Sequence, residues 1–400
     1  MNDTVSPSMS RSLPVLTLSA ESRKRRARLH PWVFSNEIQK APPLAPGSLV
    51  LLKFPAGSDC WTAYYNPHSL IAARILGDGE CRIDSAWMSR KIAHAIAYRK
   101  TLALPREAIR LVHGEADGLP GLVIDSYGPH LVLQSLTAGM DALLPLVVEA
   151  LCEQISPKGI LARCDSEMRS LEGLDSDTRM LQGGLEKSIE VMCHGLRFEL
   201  NLLESQKTGL YLDQMENHAV LARFASGADA LDVCCYTGSC SFFMKKGGAG
   251  TVLGIDCSAA AIEQARRNAE LNGMSEVTFE IADAFDRLKS LVQSGRQFDM
   301  INLDPPPFAK RRKDLDNALR GYRELNRRAF RLLKPGGILA TSTCSHHIAP
   351  EIFLEMLTLA ARDSMRQARV IEVRQQASDH PWLLAAPETR YLCCAILQVG

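Results

Sequence analysis

Leu231-Asp232-Val233-Cys234-Cys235-Tyr236-Thr237-Gly238 reads as an apolar strand running into a tight turn, and its reading decides the fold. Gly238 lets the backbone approach a ligand closely. The turn is not G-x-G-x-x-G, so it is weak evidence alone. Its surroundings add weight. The strands Ala230–Cys234, Thr251–Asp256, Val277–Ile281, Met300–Asp304 and Ile338–Thr343 alternate with helical stretches. The clearest helices are Ser258–Leu271 and Gly321–Leu333, the second stopped by Lys334-Pro335-Gly336-Gly337. Short apolar strands alternating with helices predict βαβ units and a parallel sheet. Such a sheet gathers its strand ends at one edge, where open α/β folds bind ligands.

Three chemically distinct groups fall on that edge. Asp256 ends the second strand, eighteen positions beyond Gly238, where an acid can accept hydrogen bonds from ribose hydroxyls. Capping the helix at Ser258 is the alternative role. Asp283, just past the third strand, is placed to meet an adenine amino group. Asp304 opens Asp304-Pro305-Pro306-Pro307-Phe308, and Cys344 follows Thr341-Ser342-Thr343. A thiol, a carboxylate and a nucleotide-type loop together suggest covalent methyl transfer to a pyrimidine ring. Carbon 5 of a pyrimidine is a poor nucleophile until a thiolate adds at carbon 6. Cys344 is the candidate nucleophile and is expected to have a depressed pKa. Asp304 is the candidate for stabilising charge on the ring.

Length and composition set the frame. At 400 residues the chain holds two or three domains. It is 46% hydrophobic and 23% charged, ordinary for a soluble globular protein. No apolar run reaches the roughly 20 residues of a membrane span, and the polar start lacks a signal-peptide pattern. The expected location is the cytoplasm. Twelve cysteines without C-x-x-C spacing suggest neither a zinc site nor a disulfide framework, and read as free, mostly buried thiols. Residues 13–86 read as a β-rich module. Residues 90–195 read as an α+β module, introduced by a helix over Ala86 to Leu102 and containing another over Ala142 to Ile155. Residues 196–400 carry the parallel-sheet pattern.

Strand, acid, strand, acid and then Asp-Pro-Pro resembles the class I S-adenosylmethionine-dependent methyltransferase fold. The chain as a whole resembles the ribosomal RNA large subunit methyltransferase I family. The resemblance is carried in order by His30-Pro31-Trp32-Val33-Phe34-Ser35, Gly114-Glu115-Ala116-Asp117-Gly118-Leu119-Pro120-Gly121, Gln206-Lys207-Thr208-Gly209-Leu210-Tyr211-Leu212-Asp213-Gln214 and Asp379-His380-Pro381. It implies an N-terminal PUA-like RNA-binding domain, a central α+β domain and a C-terminal methyltransferase domain. It implies S-adenosyl-L-methionine as cofactor and methylation of cytosine carbon 5 in 23S (large-subunit) rRNA. Asp213, Gln214, Tyr236, Thr237, Gly238, Asp256, Asp283 and Asp304 are then the cofactor-binding set, with Cys344 and Asp304 catalytic. Departures are Pro307, where the family often has Lys or Ser, His346-His347 after Cys344, and the dense thiols Cys234, Cys235 and Cys240.

Net charge is only +1, so RNA contact is sought in local runs. Arg23-Lys24-Arg25-Arg26 precedes the rings Trp32 and Phe34, and Lys310-Arg311 follows Asp-Pro-Pro. Basic groups beside stackable rings suit nucleic acid, although either run alone is equally a solvated face. Large-subunit rRNA is the expected partner, with a homodimer as a candidate assembly. The rival readings are a methyltransferase for guanine N7 or adenine N6, and a non-catalytic ribosome assembly factor.

Overall fold

The computed structural model describes residues 12–203, 208–308, 314–345 and 347–400. An N-terminal sheet runs in the spatial order 32–33, 73–78, 60–65, 48–53, 15–18, 38–40. All neighbours are antiparallel except Val15–Leu18 beside Ser48–Lys53. Leu16, Leu18, Val50 and Leu52 fill its core. Trp32 and Phe34 are half-buried, and the Trp32 indole N–H donates to Glu115 of the next domain at 2.8 Å.

The central domain is a five-stranded sheet in the order 177–183, 159–164, 130–135, 122–127, 108–113. The helices Ser85–Leu102 and Leu144–Ile155 pack with it around Met88, Ile92, Val147 and Leu151. The helix predicted over Ala142 to Ile155 is two, Ala138–Ala142 and Leu144–Ile155. Pro145 explains the break: it offers no N–H to a continuing helix and suits a first turn.

A hairpin, Ile189–Cys193 with Leu196–Leu200, leads into the C-terminal domain. The predicted division at 195/196 therefore falls inside it. Both strands bury their apolar faces with Phe242, Phe243 and Ala265 of the C-terminal core, so the hairpin packs as part of that unit.

The C-terminal sheet has seven strands: β1 Asp229–Val233, β2 Thr251–Asp256, β3 Val277–Ile281, β4 Phe298–Leu303, β5 Leu333–Thr343, β6 Ala368–Arg374 and β7 Cys393–Val399. Their order is β3-β2-β1-β4-β5-β7-β6, with the first five parallel and β7 antiparallel to both neighbours. Helices α1 Ser239–Lys246, α2 Ala259–Leu271, α3 Ala284–Gln293, α4 Leu315–Leu332 and α5 Pro350–Asp363 cover the two faces. The chain order reverses between β1 and β4, which puts a ligand crevice at their carboxyl ends. Helix α4 begins at Leu315, before the predicted Gly321. Gly321 lies inside the helix because Phe308 packs there: a Cβ would stand 3.2 Å from that ring. Among the described residues no helix is long and apolar enough to cross a membrane.

Candidate active site

The turn after β1 is strained in a way that few sequences tolerate. Cys234 and Tyr236 both have positive φ (63° and 51°), and Gly238 follows at 84°. Non-glycine residues in this region cost about 1–3 kcal/mol each and cluster at ligand sites. A Cβ on Gly238 would also lie 2.8 Å from the Phe242 ring, so both conformation and space demand glycine. The strained turn is tied to the next strand end, because the Tyr236 N–H donates to Asp256 Oδ2 at 2.9 Å. Asp256 Oδ1 accepts from the Ser258 N–H at 2.9 Å. Ser258, not Asp256, caps α2. Asp283 caps α3, accepting from the Asp286 N–H, and is otherwise exposed beside the half-exposed Ile281.

These features fit a nucleoside-bearing ligand. Asp256 is oriented by two backbone donors at the crevice. The Thr237 hydroxyl is buried and has no hydrogen-bond partner among the described residues. A buried hydroxyl without a partner costs stability, so a ligand polar group would satisfy it. Ile281 beside Asp283 offers an apolar surface next to an acceptor.

The reacting edge lies across the crevice. Asp304 leaves β4 with its N–H on the Val233 carbonyl at 3.2 Å, fastening the Asp-Pro-Pro loop to β1. Cys344 leaves β5, which runs parallel to β4 with Leu303 opposite Thr341. The two loops are held together by Tyr322 of α4. Its hydroxyl meets Ser345 Oγ at 3.1 Å and donates to the Pro306 carbonyl at 3.4 Å. Burial raises the Tyr322 hydroxyl pKa, with Cys344 adding to the rise. Tyr211 closes the same region, its ring 4.9 Å from that of Tyr236. Burial first, then the neighbouring Tyr236, Asp304, Asp213 and Cys344, push its hydroxyl upward. Tyr211 thus stands in the field of both the carboxylate and the thiol.

The other thiols near these strand ends are of a different kind. Cys235, Cys240 and Cys394 are buried, and Cys234 is half-buried. Desolvation, reinforced by Asp232 and Asp256 and at Cys234 also by Asp304, holds Cys234 and Cys235 well above the ordinary thiol range. Desolvation with Asp232 and Asp304 does the same to Cys240. Cys394, on β7 opposite Ser342, is pushed up to about 12. A protonated thiol is a poor nucleophile. Half-buried Cys344 packs at the margin of this core rather than within it. Six of the twelve cysteines are buried and one, Cys257, is exposed, so the expectation of mostly buried thiols is met only in half of them.

Other predicted site residues make bonds within the protein. Asp213 is buried and its carboxylate accepts from the Tyr391 hydroxyl at 2.7 Å. Gln214 is buried, with its amide oxygen on Asn217 Nδ2 at 2.6 Å. The basic run requires a correction. Arg26 is buried and donates to the Trp32 carbonyl, and desolvation lowers its pKa to about 10. It is a structural group of the N-terminal domain, not an RNA contact. Arg25 pairs with Glu37 at 3.0 Å and stacks on Phe34, while Arg23 stacks on Phe54. Arg23 and Lys24 remain exposed. Lys310, Arg311 and His346 lie outside the described residues. Sequence reasoning assigned no role to Tyr322, whose only hint was Gly321 before it in a helix. Tyr211 lay in a motif already singled out, without a role.

Comparison with known proteins agrees with this geometry. Residues 224–384 match a methyltransferase domain family and residues 16–78 a PUA-like domain family. A Ribosomal RNA large subunit methyltransferase I of Shewanella denitrificans is 37% identical over 373 residues, covering 91% of this chain and 94% of that protein. Its namesake in Pseudoalteromonas atlantica is 34% identical over 395 residues, covering 96% and 99%. Among solved structures, a Streptococcus mutans protein described as a SAM-dependent methyltransferase superposes with a TM-score of 0.83 at 18% identity, covering 96% of this chain and all of that one. That fold has also been solved with SAH bound.

Proposed function

Because the chain belongs to the ribosomal RNA large subunit methyltransferase I family, we propose that it methylates carbon 5 of a cytosine in 23S rRNA through a transient bond to Cys344. It is an S-adenosylmethionine-dependent methyltransferase of large-subunit rRNA. The cofactor supplies a methyl group on a sulfonium centre. Asp256 accepts from the ribose hydroxyls, Thr237 Oγ1 meets a polar group of the cofactor, and Ile281 and Asp283 receive the adenine.

The chain's own residues then activate the base. The Cys344 thiolate adds to carbon 6, and the carbon 5–carbon 6 π electrons move to carbon 5. Carbon 5 takes the methyl group, while the breaking bond's electrons stay on the cofactor's sulfur. Solvent water takes the carbon 5 proton, the C–H electrons restore the carbon 5–carbon 6 double bond, and the thiolate leaves with the electrons of its bond to carbon 6. Asp304 hydrogen-bonds the ring nitrogen or exocyclic amine, stabilising charge as the adduct forms.

One observation carries this reading: the Tyr322 hydroxyl joins the loop bearing Asp304 to the loop bearing Cys344. A nitrogen methyltransferase needs the first loop but not the thiol. The base must leave its stack to reach both, so a single-stranded or flipped cytosine is the target. The experiment is to map modified nucleosides in large-subunit rRNA from cells with and without the protein. The reading predicts one 5-methylcytidine that disappears with the gene. Loss of a methylated purine nitrogen instead would replace it with the nitrogen reading.

A further inference from the structure

Thr208–Asp213 runs from a glycine turn into a single turn of 3-10 helix, with no strand or longer helix through it. It nevertheless places Tyr211 against Tyr236 at the cofactor edge. What holds it comes largely from another domain, and at alternate residues. The Thr208 hydroxyl donates to Asp125, which is fully buried on the central sheet. The Leu210 N–H donates to the Tyr127 hydroxyl at 3.0 Å. The Leu212 carbonyl accepts from Arg106 Nη1 at 3.0 Å. Gly209, at φ 138°, passes so close that a Cβ would stand 2.6 Å from the Tyr127 hydroxyl.

These anchors are themselves fixed. Arg106 pairs with Asp379 at 2.7 Å, and both side chains have no solvent exposure. The other Asp379 carboxylate oxygen accepts from the Arg110 N–H at 2.9 Å, and its carbonyl accepts from Arg99 at 2.9 Å. Arg110 grips Asp125 through two bonds of 2.7 and 2.8 Å. On the far side, the Ala377 N–H donates to the Asp213 carbonyl at 2.9 Å, and Tyr391 holds its carboxylate. Paired and hydrogen-bonded buried charges of this kind are costly to break from one side, so the arrangement is stiff. With Thr208, Leu210 and Leu212 pinned to the central domain, Tyr211 is left to face Tyr236.

We propose that Arg106, Asp125 and Tyr127 of the central domain are positioning residues for methyl transfer, holding Thr208–Asp213 so that Tyr211 closes the cofactor site beside Tyr236. The proposal rests on the reading of the Tyr236–Gly238 turn as the cofactor edge. It makes the central domain part of the cofactor site rather than a spacer between RNA-binding and catalytic units.

The test is calorimetric binding of SAH to the full chain in a double-mutant cycle. Arg106→Gln and Tyr127→Phe are each made alone and in a Tyr211→Ala background. Tyr127→Phe removes one hydroxyl and keeps the decision available where loss of the Arg106 charge prevents folding. Each variant should weaken SAH binding about 10-fold in the natural background and less than about 2-fold once Tyr211 is gone. The fall in melting temperature should be the same in both backgrounds. Equal loss of affinity in both backgrounds, or none in either, would overturn the positioning role. Failure of the unaltered chain to bind SAH would instead overturn the cofactor edge itself, and this proposal with it. The outcome does not depend on which atom of the base is methylated.

Discussion

Cys344 and Cys394 stand at the same end of one sheet, on or just past neighbouring strands, yet their surroundings differ. Cys394 lies on β7, opposite Ser342 and within the core, and burial pushes it up to about 12. Cys344 has run past the end of β5 and helps to raise the hydroxyls of both Tyr211 and Tyr322. The comparison teaches that two thiols at one sheet edge differ by burial: Cys394 lies within the core, whereas Cys344, past the strand end, only packs against it. Cys234, Cys235 and Cys240 are nearer to acids than a sequence reader would wish, and those acids raise them further.

The sharpest way to break the comparison is to remove each thiol. Cys344→Ala should leave no measurable methyl transfer while SAH still binds. Cys344→Ser should be equally inactive, since a hydroxyl does not supply a soft nucleophile near neutral pH. Cys394→Ala should keep turnover within about 2-fold and lower stability by about 1–2 kcal/mol, the scale of a small buried truncation. Radiolabelled methyl transfer and denaturant melts read both. Equal losses of activity would erase the distinction.

Asp256→Ala separates cofactor binding from the thiol chemistry. Losing a charge-assisted acceptor for the ribose should weaken SAH binding by about 10- to 150-fold, from roughly 1.5–3 kcal/mol. Calorimetry showing unchanged affinity in a folded variant would remove Asp256 from the site.

The buried thiols also predict a pH dependence. Cys193 and Cys393 are raised to about 11 and Cys394 to about 12, chiefly by desolvation, from an ordinary 9.0. The unfolded chain therefore releases these protons first as pH rises. Their contribution is whole below about pH 9 and is lost as pH climbs towards 11–12, by about 1 kcal/mol per thiol per pH unit. Urea midpoints from pH 8 to 10.5 should fall accordingly, and fall less steeply in Cys394→Ala. A flat profile would mean these thiols are not kept protonated by burial.

The smallest effect concerns the basic run, where burial again divides like residues. Arg23→Gln and Lys24→Gln should each lower the slope of log RNA affinity against log salt by about 0.7–0.9. Arg26→Gln should leave the slope alone and lower the melting temperature, because it strips a buried donor from the Trp32 carbonyl. A slope change from Arg26 alone would reverse the assignment.

How much of this was legible in sequence follows from the range of the interaction. The strands Thr251–Asp256 and Val277–Ile281 match their predicted limits because apolar runs and flanking acids are local signals. The placement of the candidates Asp256, Asp304 and Cys344 at strand ends was legible for the same reason. Tyr322 was not, since its role depends on α4 crossing both loops. Arg26 was misread because charge is visible in sequence and burial is not. Asp379-His380-Pro381 stood out as a motif, but its partner Arg106 lies 273 positions away in sequence. No local pattern reports a contact made by the docking of two domains.

The central claim is the covalent step at Cys344. Its most direct measurement is a denaturing gel of the protein incubated with S-adenosylmethionine and large-subunit rRNA containing 5-fluorocytidine at the target. Fluorine cannot leave carbon 5 as the proton does, so the adduct should persist as a slow, denaturation-resistant band with the natural chain. Cys344→Ala should give none, and Cys394→Ala should give the natural amount. Methyl transfer to the unmodified RNA without any trapped band on the fluorinated one, or a band that survives Cys344→Ala, would contradict the account.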